Sequence, residues 1–190
     1  MSPRVTERRF LLAACAATGI TSLWGVEPAH AASARDIDRD AAGALQRLYT
    51  AQPKARELSK RAKAILIFPK IIKGGFIIGG QTGDGSLQIN GRTNAYYNIS
   101  AASFGLQAGG QTFSYALFFM TSSSLKYLQD SDGWSIGSGP SVVVLDKGTA
   151  ASMNSTTVTQ DVYAVPFGQH GLMAGLGLEG SKITRIHPRT

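Results

Sequence analysis

At 190 residues, 43% hydrophobic and 16% charged, the chain has the composition of one globular domain large enough to bury a core. A mean hydropathy of -0.02 excludes a protein made mostly of membrane-crossing helices. The formal charge of +7 is concentrated between residues 54 and 73, where Lys54, Arg56, Lys60, Arg61, Lys63, Lys70 and Lys73 are opposed by Glu57 alone. A solvated helix face usually mixes both signs, so this imbalance points to an anionic partner.

The first element is a targeting segment. Arg4, Arg8 and Arg9 precede an apolar, small-residue stretch from Phe10 to Val26, and Ala29-His30-Ala31 supplies the small-x-small pattern of a signal peptidase site. Cleavage after Ala31 predicts a removed segment over 1–31, a single domain over 32–190, and an exported, periplasmic protein attached peripherally to the membrane. Arg8-Arg9-Phe10-Leu11 also resembles a twin-arginine export signal, lacking the residue that usually separates the arginine pair from Phe-Leu. Cys15, the only cysteine, follows Leu12-Ala13-Ala14 as in a bacterial lipobox, and acylation there would make the protein lipid-anchored instead. Only Phe10 to Ala14 would then remain as apolar core, short of the usual run of about 7–15 residues, which favours the cut after Ala31. On either route the mature domain has neither a thiol nucleophile nor an internal disulfide.

Ser33 as N-cap, with Asp36, Asp38 and Asp40 near the positive end of the dipole, opens a helix whose apolar side is Ile37, Ala41, Ala44, Leu45 and Leu48. Gln52-Pro53 interrupts it, and Pro53 opens a second helix over about Lys54 to Ala64. At 100° per residue, Ala55, Leu58, Ala62, Ile65 and Leu66 share one arc, while Arg56, Lys60 and Lys63 cluster opposite and Lys54 and Arg61 flank the apolar edge. A basic amphipathic helix of this kind suits a membrane surface or an acidic partner; its apolar side can equally face the protein core while the cations meet lipid.

Ile65 to Phe68, closed by Pro69, is too short for a membrane span and reads as a buried strand. Phe76 to Ile78 is a second apolar run between the pairs Gly74-Gly75 and Gly79-Gly80, where missing side chains allow a bend or a close approach. Beyond Gly80 come short strand signals separated by turns. Gly83-Asp84-Gly85 reads as one turn and Asn90-Gly91 as a hairpin; strands are expected at 86–89, 93–99, 104–106, 115–121, 141–146, 156–159, 162–167, 172–178 and 182–186, with one helix over 123–128. The fold class is α+β: a glycine-rich, mainly antiparallel sheet of many short strands with the N-terminal helices packed on it.

Ala64-Ile65-Leu66-Ile67-Phe68-Pro69, Tyr96-Tyr97-Asn98, Ser103-Phe104-Gly105-Leu106-Gln107 with Gly109-Gly110-Gln111, and Leu117 to Thr121 are followed in order by Gly133-Trp134, Phe167-Gly168-Gln169 and the run from Gly171 to Ile183. This succession resembles the SYLF domain family over about Ala32 to Pro188, and the chain looks like an exported bacterial member. The resemblance implies a lipid-binding module in which a basic amphipathic helix near the N-terminus meets phosphoinositide membranes; Lys54 to Lys63 occupies the matching place. Ala95 and Gly177 stand where the family pattern has Gly and Ser. No SH3 pattern accompanies the domain, so cytoskeletal roles are not carried over, and an exported protein would meet anionic glycerophospholipids instead.

A search for chemistry is negative. His30, His170 and His187 have no ligand spacing, and His170 is expected in a glycine-rich turn. Asp130-Ser131-Asp132-Gly133 starts like a calcium loop but lacks its later ligands, and Gly137-Ser138-Gly139-Pro140 is not a nucleophile elbow. Glu179 is expected to be a buried carboxylate paired with Lys182 or Arg185. The expectation is therefore a non-enzymatic protein of the cell envelope, without metal or cofactor and with no nucleic acid partner. It would engage an anionic phospholipid membrane surface through Lys54, Arg56, Lys60, Arg61, Lys63, Lys70 and Lys73. The alternative is a structural envelope protein whose basic patch binds an acidic protein or a polyanionic glycan.

Overall fold

A computed structural model of the chain describes residues 32–145, 159–171, 178 and 180–190. The expected targeting segment, Cys15, Glu179, most of the strand expected over 156–159 and all but the last residue of that over 172–178 lie outside the described residues.

Helix α1 (Ala34–Ala51) starts where its cap predicts: the Ser33 hydroxyl accepts from the Asp36 backbone N–H at 3.2 Å and donates to the Asp36 carboxylate at 2.7 Å. It ends at Gln52, whose non-helical backbone (φ -138°, ψ 85°) also begins α2 (Pro53–Arg61), with Pro53 in the first turn. Lys63 N–H then donates to Phe119 C=O at 2.7 Å, and the chain enters the sheet.

The sheet differs from the expected succession of short strands. β1 (Ala64–Ile89) and β2 (Arg92–Phe119) are 26 and 28 residues long and pair antiparallel along nearly their whole length. Asn90 (φ 51°) and Gly91 (φ 74°) form the hairpin, as two left-handed residues between strands require. The other edge of β2 takes two shorter antiparallel partners, β6 (Lys182–Ile186) along Tyr96 to Ser100 and β5 (Val162–Gly171) along Gln111 to Phe119. After β2 come α3 (Ser122–Asp130), β3 (Trp134–Ser135), which pairs with β6, and β4 (Val142–Val144), which joins β5 in parallel. The class is α+β with a mixed, mostly antiparallel sheet.

Gly83-Asp84-Gly85 is not a turn. These residues continue β1, and the ribbon curls so that they lie directly against residues 67–71 of the same strand. Each face of the curled sheet has its own core. Ile67, Ala116 and Val165 stand in register across β1, β2 and β5 and, with Phe118 and Tyr163, bury Ala41, Ala44, Leu48, Ala55 and Leu58 of the two N-terminal helices. The opposite face gathers Leu66, Phe68, Tyr97, Tyr115, Phe119 and Trp134 beside Leu128 of α3. Full burial of a side chain the size of Leu48 contributes about 1.5–3 kcal/mol, so each helix is held mainly by its apolar side. Polar ties fix the angle of α1, since Asp38 accepts from Thr93 Oγ1 at 2.8 Å and from Tyr96 OH at 2.9 Å.

Asp161, at the start of β5, holds two neighbouring segments. One oxygen accepts from Ser141 N–H at 3.2 Å and Ser141 Oγ at 3.1 Å, the other from Thr121 Oγ1 at 3.1 Å, and Thr121 is itself the N-cap of α3. The Ser141 backbone N–H, more than any other group, holds this carboxyl below the ordinary value of 3.8. A folded-state value lowered in this way contributes stability that is present above the unfolded-state value of about 3.9 and is lost as pH falls through the folded one. Asp161→Asn is expected to cost about 1 kcal/mol near neutral pH, with the gap to wild type narrowing in acid. Urea unfolding of both proteins at pH 7 and pH 3 measures the gap; a gap that widens in acid would contradict the assignment.

Candidate functional site

The seven basic residues come from three parts of the chain. Lys54, Arg56, Lys60 and Arg61 lie on α2, Lys63 lies in the two-residue passage to the sheet, and Lys70 and Lys73 lie on β1. On α2 the division of faces is as the 100° arc predicts, with Ala55 and Leu58 buried and all four cations exposed; Lys63 is exposed as well. Ending at Arg61, the helix is shorter than expected, and Ile65 and Leu66 belong to β1, where Leu66 is fully buried. Lys60 and Arg61 fall in the last turn, where they complement the negative end of the dipole.

Lys60 and Arg56 show how such cations are held locally. Lys60 Nζ lies 2.8 Å from the Glu57 carboxylate, both side chains well exposed, a pair worth well under 1 kcal/mol that leaves the ammonium accessible. The Arg56 guanidinium sits 5.3 Å from the centre of the Tyr49 ring on α1, a cation–π contact between the helices. Burial pushes the Tyr49 phenol above its ordinary value, partly offset by its hydrogen bond with Ser59 and by the Arg56 charge.

Lys70 belongs to a different place. Phe68 pairs with Tyr115 and Ile71 with Phe113, so Pro69 and Lys70 together oppose Ser114 in a bulge, held by a 2.7 Å bond from Ser114 Oγ to Pro69 C=O. The partner strand bulges beside it: Ser114 pairs with Phe167 and Thr112 with His170, with Gly168 at φ 62° between them. His170 is accordingly a strand residue of β5, not part of a turn. These irregularities open a cleft of about 700 Å³ between α1 and the sheet, with Arg39, Arg47, Lys70 and His170 around it and none of the α2 cations on its walls. Sequence reasoning missed Arg39, Arg47 and His170. The available signal was the spacing of Arg39, Gly43 and Arg47, which places two arginines on one side of α1 with a gap between them. Lys73, part-buried, faces Gln111 across the ladder.

Among the described residues no group of three or more His, Cys, Asp or Glu side chains could hold a metal ion. No described helix is long and apolar enough to cross a membrane.

Residues 100–187 match the family model Ysc84, described as Las17-binding protein actin regulator. No curated protein matches the chain. The matched stretch runs from the middle of β2 through β6, so α1, α2, β1 and all seven basic residues lie outside it. Within it fall the blocks from Ser103 to Gln111, Leu117 to Thr121, Gly133-Trp134, Phe167 to Gln169 and Gly171 to Ile183. Of these, Trp134 is a central core side chain, 1% exposed, whose ring lies 6.0 Å from that of Phe119 and whose indole N–H donates to Ser138 C=O at 2.8 Å. With the family model and five of the ordered blocks covering the same stretch, residues 100–187 are similar to the SYLF (Ysc84) domain family, whose model is described as an actin regulator.

Proposed function

We propose that this chain is a non-enzymatic protein that binds anionic phospholipid at a membrane surface through α2 and the adjoining Lys63, and that it works as an exported, peripherally attached protein of the bacterial cell envelope. The observation that carries the reading is the division of α2. Its apolar residues Ala55 and Leu58 are consumed in the core, while Lys54, Arg56, Lys60, Arg61 and Lys63 remain at the surface. The helix therefore has little apolar surface left to insert, and attachment by this face is electrostatic. The export part of the proposal is supported by the N-terminal Arg-rich, apolar and small-x-small pattern.

Electrostatic attachment has a salt signature. The screening length falls from about 10 Å at 0.1 M to about 3 Å at 1 M, so vesicle-bound protein should be released over that range. In co-sedimentation the protein is expected to pellet with phosphatidylglycerol vesicles at 0.1 M salt, to return to the supernatant at 1 M, and to ignore phosphatidylcholine vesicles at both. Equal pelleting with both lipids, or pelleting with neither, would replace this reading with that of a patch for an acidic protein or a polyanionic glycan.

A further inference from the structure

The cleft beside α1 has no part in the α2 reading. Its basic residues come from three separate elements: Arg39 and Arg47 from α1, Lys70 from the bulge in β1 and His170 from beyond the bulge in β5. Gly43 leaves room for the Arg47 guanidinium, which lies 3.4 Å from where a Gly43 Cβ would be. The opposing carboxylates are few. Asp40 lines the cleft and binds Arg39 Nε at 3.1 Å, and Asp36 binds the same guanidinium at 2.8 Å. Arg39 is thus neutralised locally, whereas Arg47 and Lys70 make no ion pair among the described residues.

The rest of the cleft is mixed, with Thr112 and Ser114 beside Ala51, Pro69 and Phe167. Phe167, 5% exposed, contributes an apolar side chain from the helix-facing side of the sheet, while Phe113 borders the cleft with its side chain in the opposite core. Beside it, Ile72 pairs in register with Thr112, which pairs with His170, so these three share one row on the side of the sheet that faces the helices. Thr112 and His170 line the cleft, and Ile72, at the end of the row, is 52% exposed, the most exposed of the large hydrophobic side chains in the described core and surface. A volume of about 700 Å³ with partly apolar walls and two cations that make no ion pair among the described residues suits a small amphiphile whose charged end is a dianion. A guanidinium fork and an ammonium together match phosphate oxygens better than a single carboxylate.

We propose that this cleft is a second anion site, separate from α2, which takes the phosphomonoester group of a lipid of the phosphatidic acid type between Arg47 and Lys70, with the glycerol and acyl end leading out past Ile72. The site rests on the cleft alone; only the lipid source of its phosphate rests on the membrane reading above.

Isothermal titration of the full chain with dihexanoyl phosphatidic acid below its micelle concentration tests the site, with glycerol 3-phosphate as the free-phosphomonoester arm. The double variant Arg47→Gln/Lys70→Gln is compared with the α2 variant Arg56→Gln/Lys60→Gln/Lys63→Gln, and thermal melts establish that both are folded. The expected result is one short-chain lipid per chain, affinity at least tenfold weaker in the cleft variant and within twofold of wild type in the α2 variant. Glycerol 3-phosphate bound as tightly as the lipid, and lost in the same variant, would support the site and reassign its ligand to soluble phosphomonoesters. Absence of binding by both ligands, or equal losses in the two variants, would overturn the proposal. Vesicle binding that still depends on α2 in that case would leave the α2 reading intact.

Discussion

Gly85→Ala is expected to destabilise the domain by about 3 kcal/mol or more, although it adds one methyl group. A Cβ built on Gly85 falls 2.3 Å from Ile67 C=O and 2.6 Å from Phe68 Cδ1, and one on Gly83 falls 2.5 Å from Lys70 C=O. Backbone oxygens cannot rotate out of the way as the end of a long side chain can. Relief requires the two layers of the curled ribbon to separate by about 1 Å, and Ile67, Phe68 and Ile71 at that crossing are all fully buried. Gly91 is the control: at φ 74° it has open space around a built Cβ, so Gly91→Ala incurs only the backbone preference, about 1 kcal/mol. Urea unfolding of the two variants decides the matter. A Gly85→Ala midpoint indistinguishable from that of Gly91→Ala would show that the crossing is looser than described.

The same glycines explain where the sequence was legible and where it was not. Helices α1 and α2 could be read because their signals are local: Ser33 with Asp36 at one start, Pro53 at the other, and a 3.6-residue apolar period between. Asn90-Gly91 was readable for the same reason. Gly83-Asp84-Gly85 carries a turn composition, yet its glycines answer a contact with residues some fifteen positions earlier in the same strand, and nothing local separates the two causes. Reading turns at such places divides two long strands into many short ones. The cationic site was half legible in a comparable way. The α2 face follows from helical spacing, whereas Lys70 lies apart in the bulge it forms with Pro69, where His170 reaches it through the pairing of β1, β2 and β5 and Arg39 and Arg47 through the packing of α1 on the sheet. Linear charge counting assigns residues 54–73 to one patch because it has no access to register.

The second large effect is expected from Arg56→Gln/Lys60→Gln/Lys63→Gln. A basic residue near an anionic surface contributes at most about 1 kcal/mol, so removing three lowers binding by up to about 3 kcal/mol, on the order of 100-fold. The Arg56 contact with Tyr49 and the Lys60 pair with Glu57 reduce this, and a ten- to hundredfold loss is the expected range. Folding should be nearly untouched, because all three side chains are exposed and the cation–π contact is worth only about 0.5–1 kcal/mol. Leu58 and Ala55 keep α2 on the sheet regardless of charge. The most direct test of the account is therefore the affinity of this triple variant for phosphatidylglycerol vesicles at 0.1 M salt, measured beside its melting temperature. Affinity at least tenfold weaker, with melting unchanged within a few degrees, is the expected result; an affinity equal to that of wild type would contradict electrostatic attachment through α2.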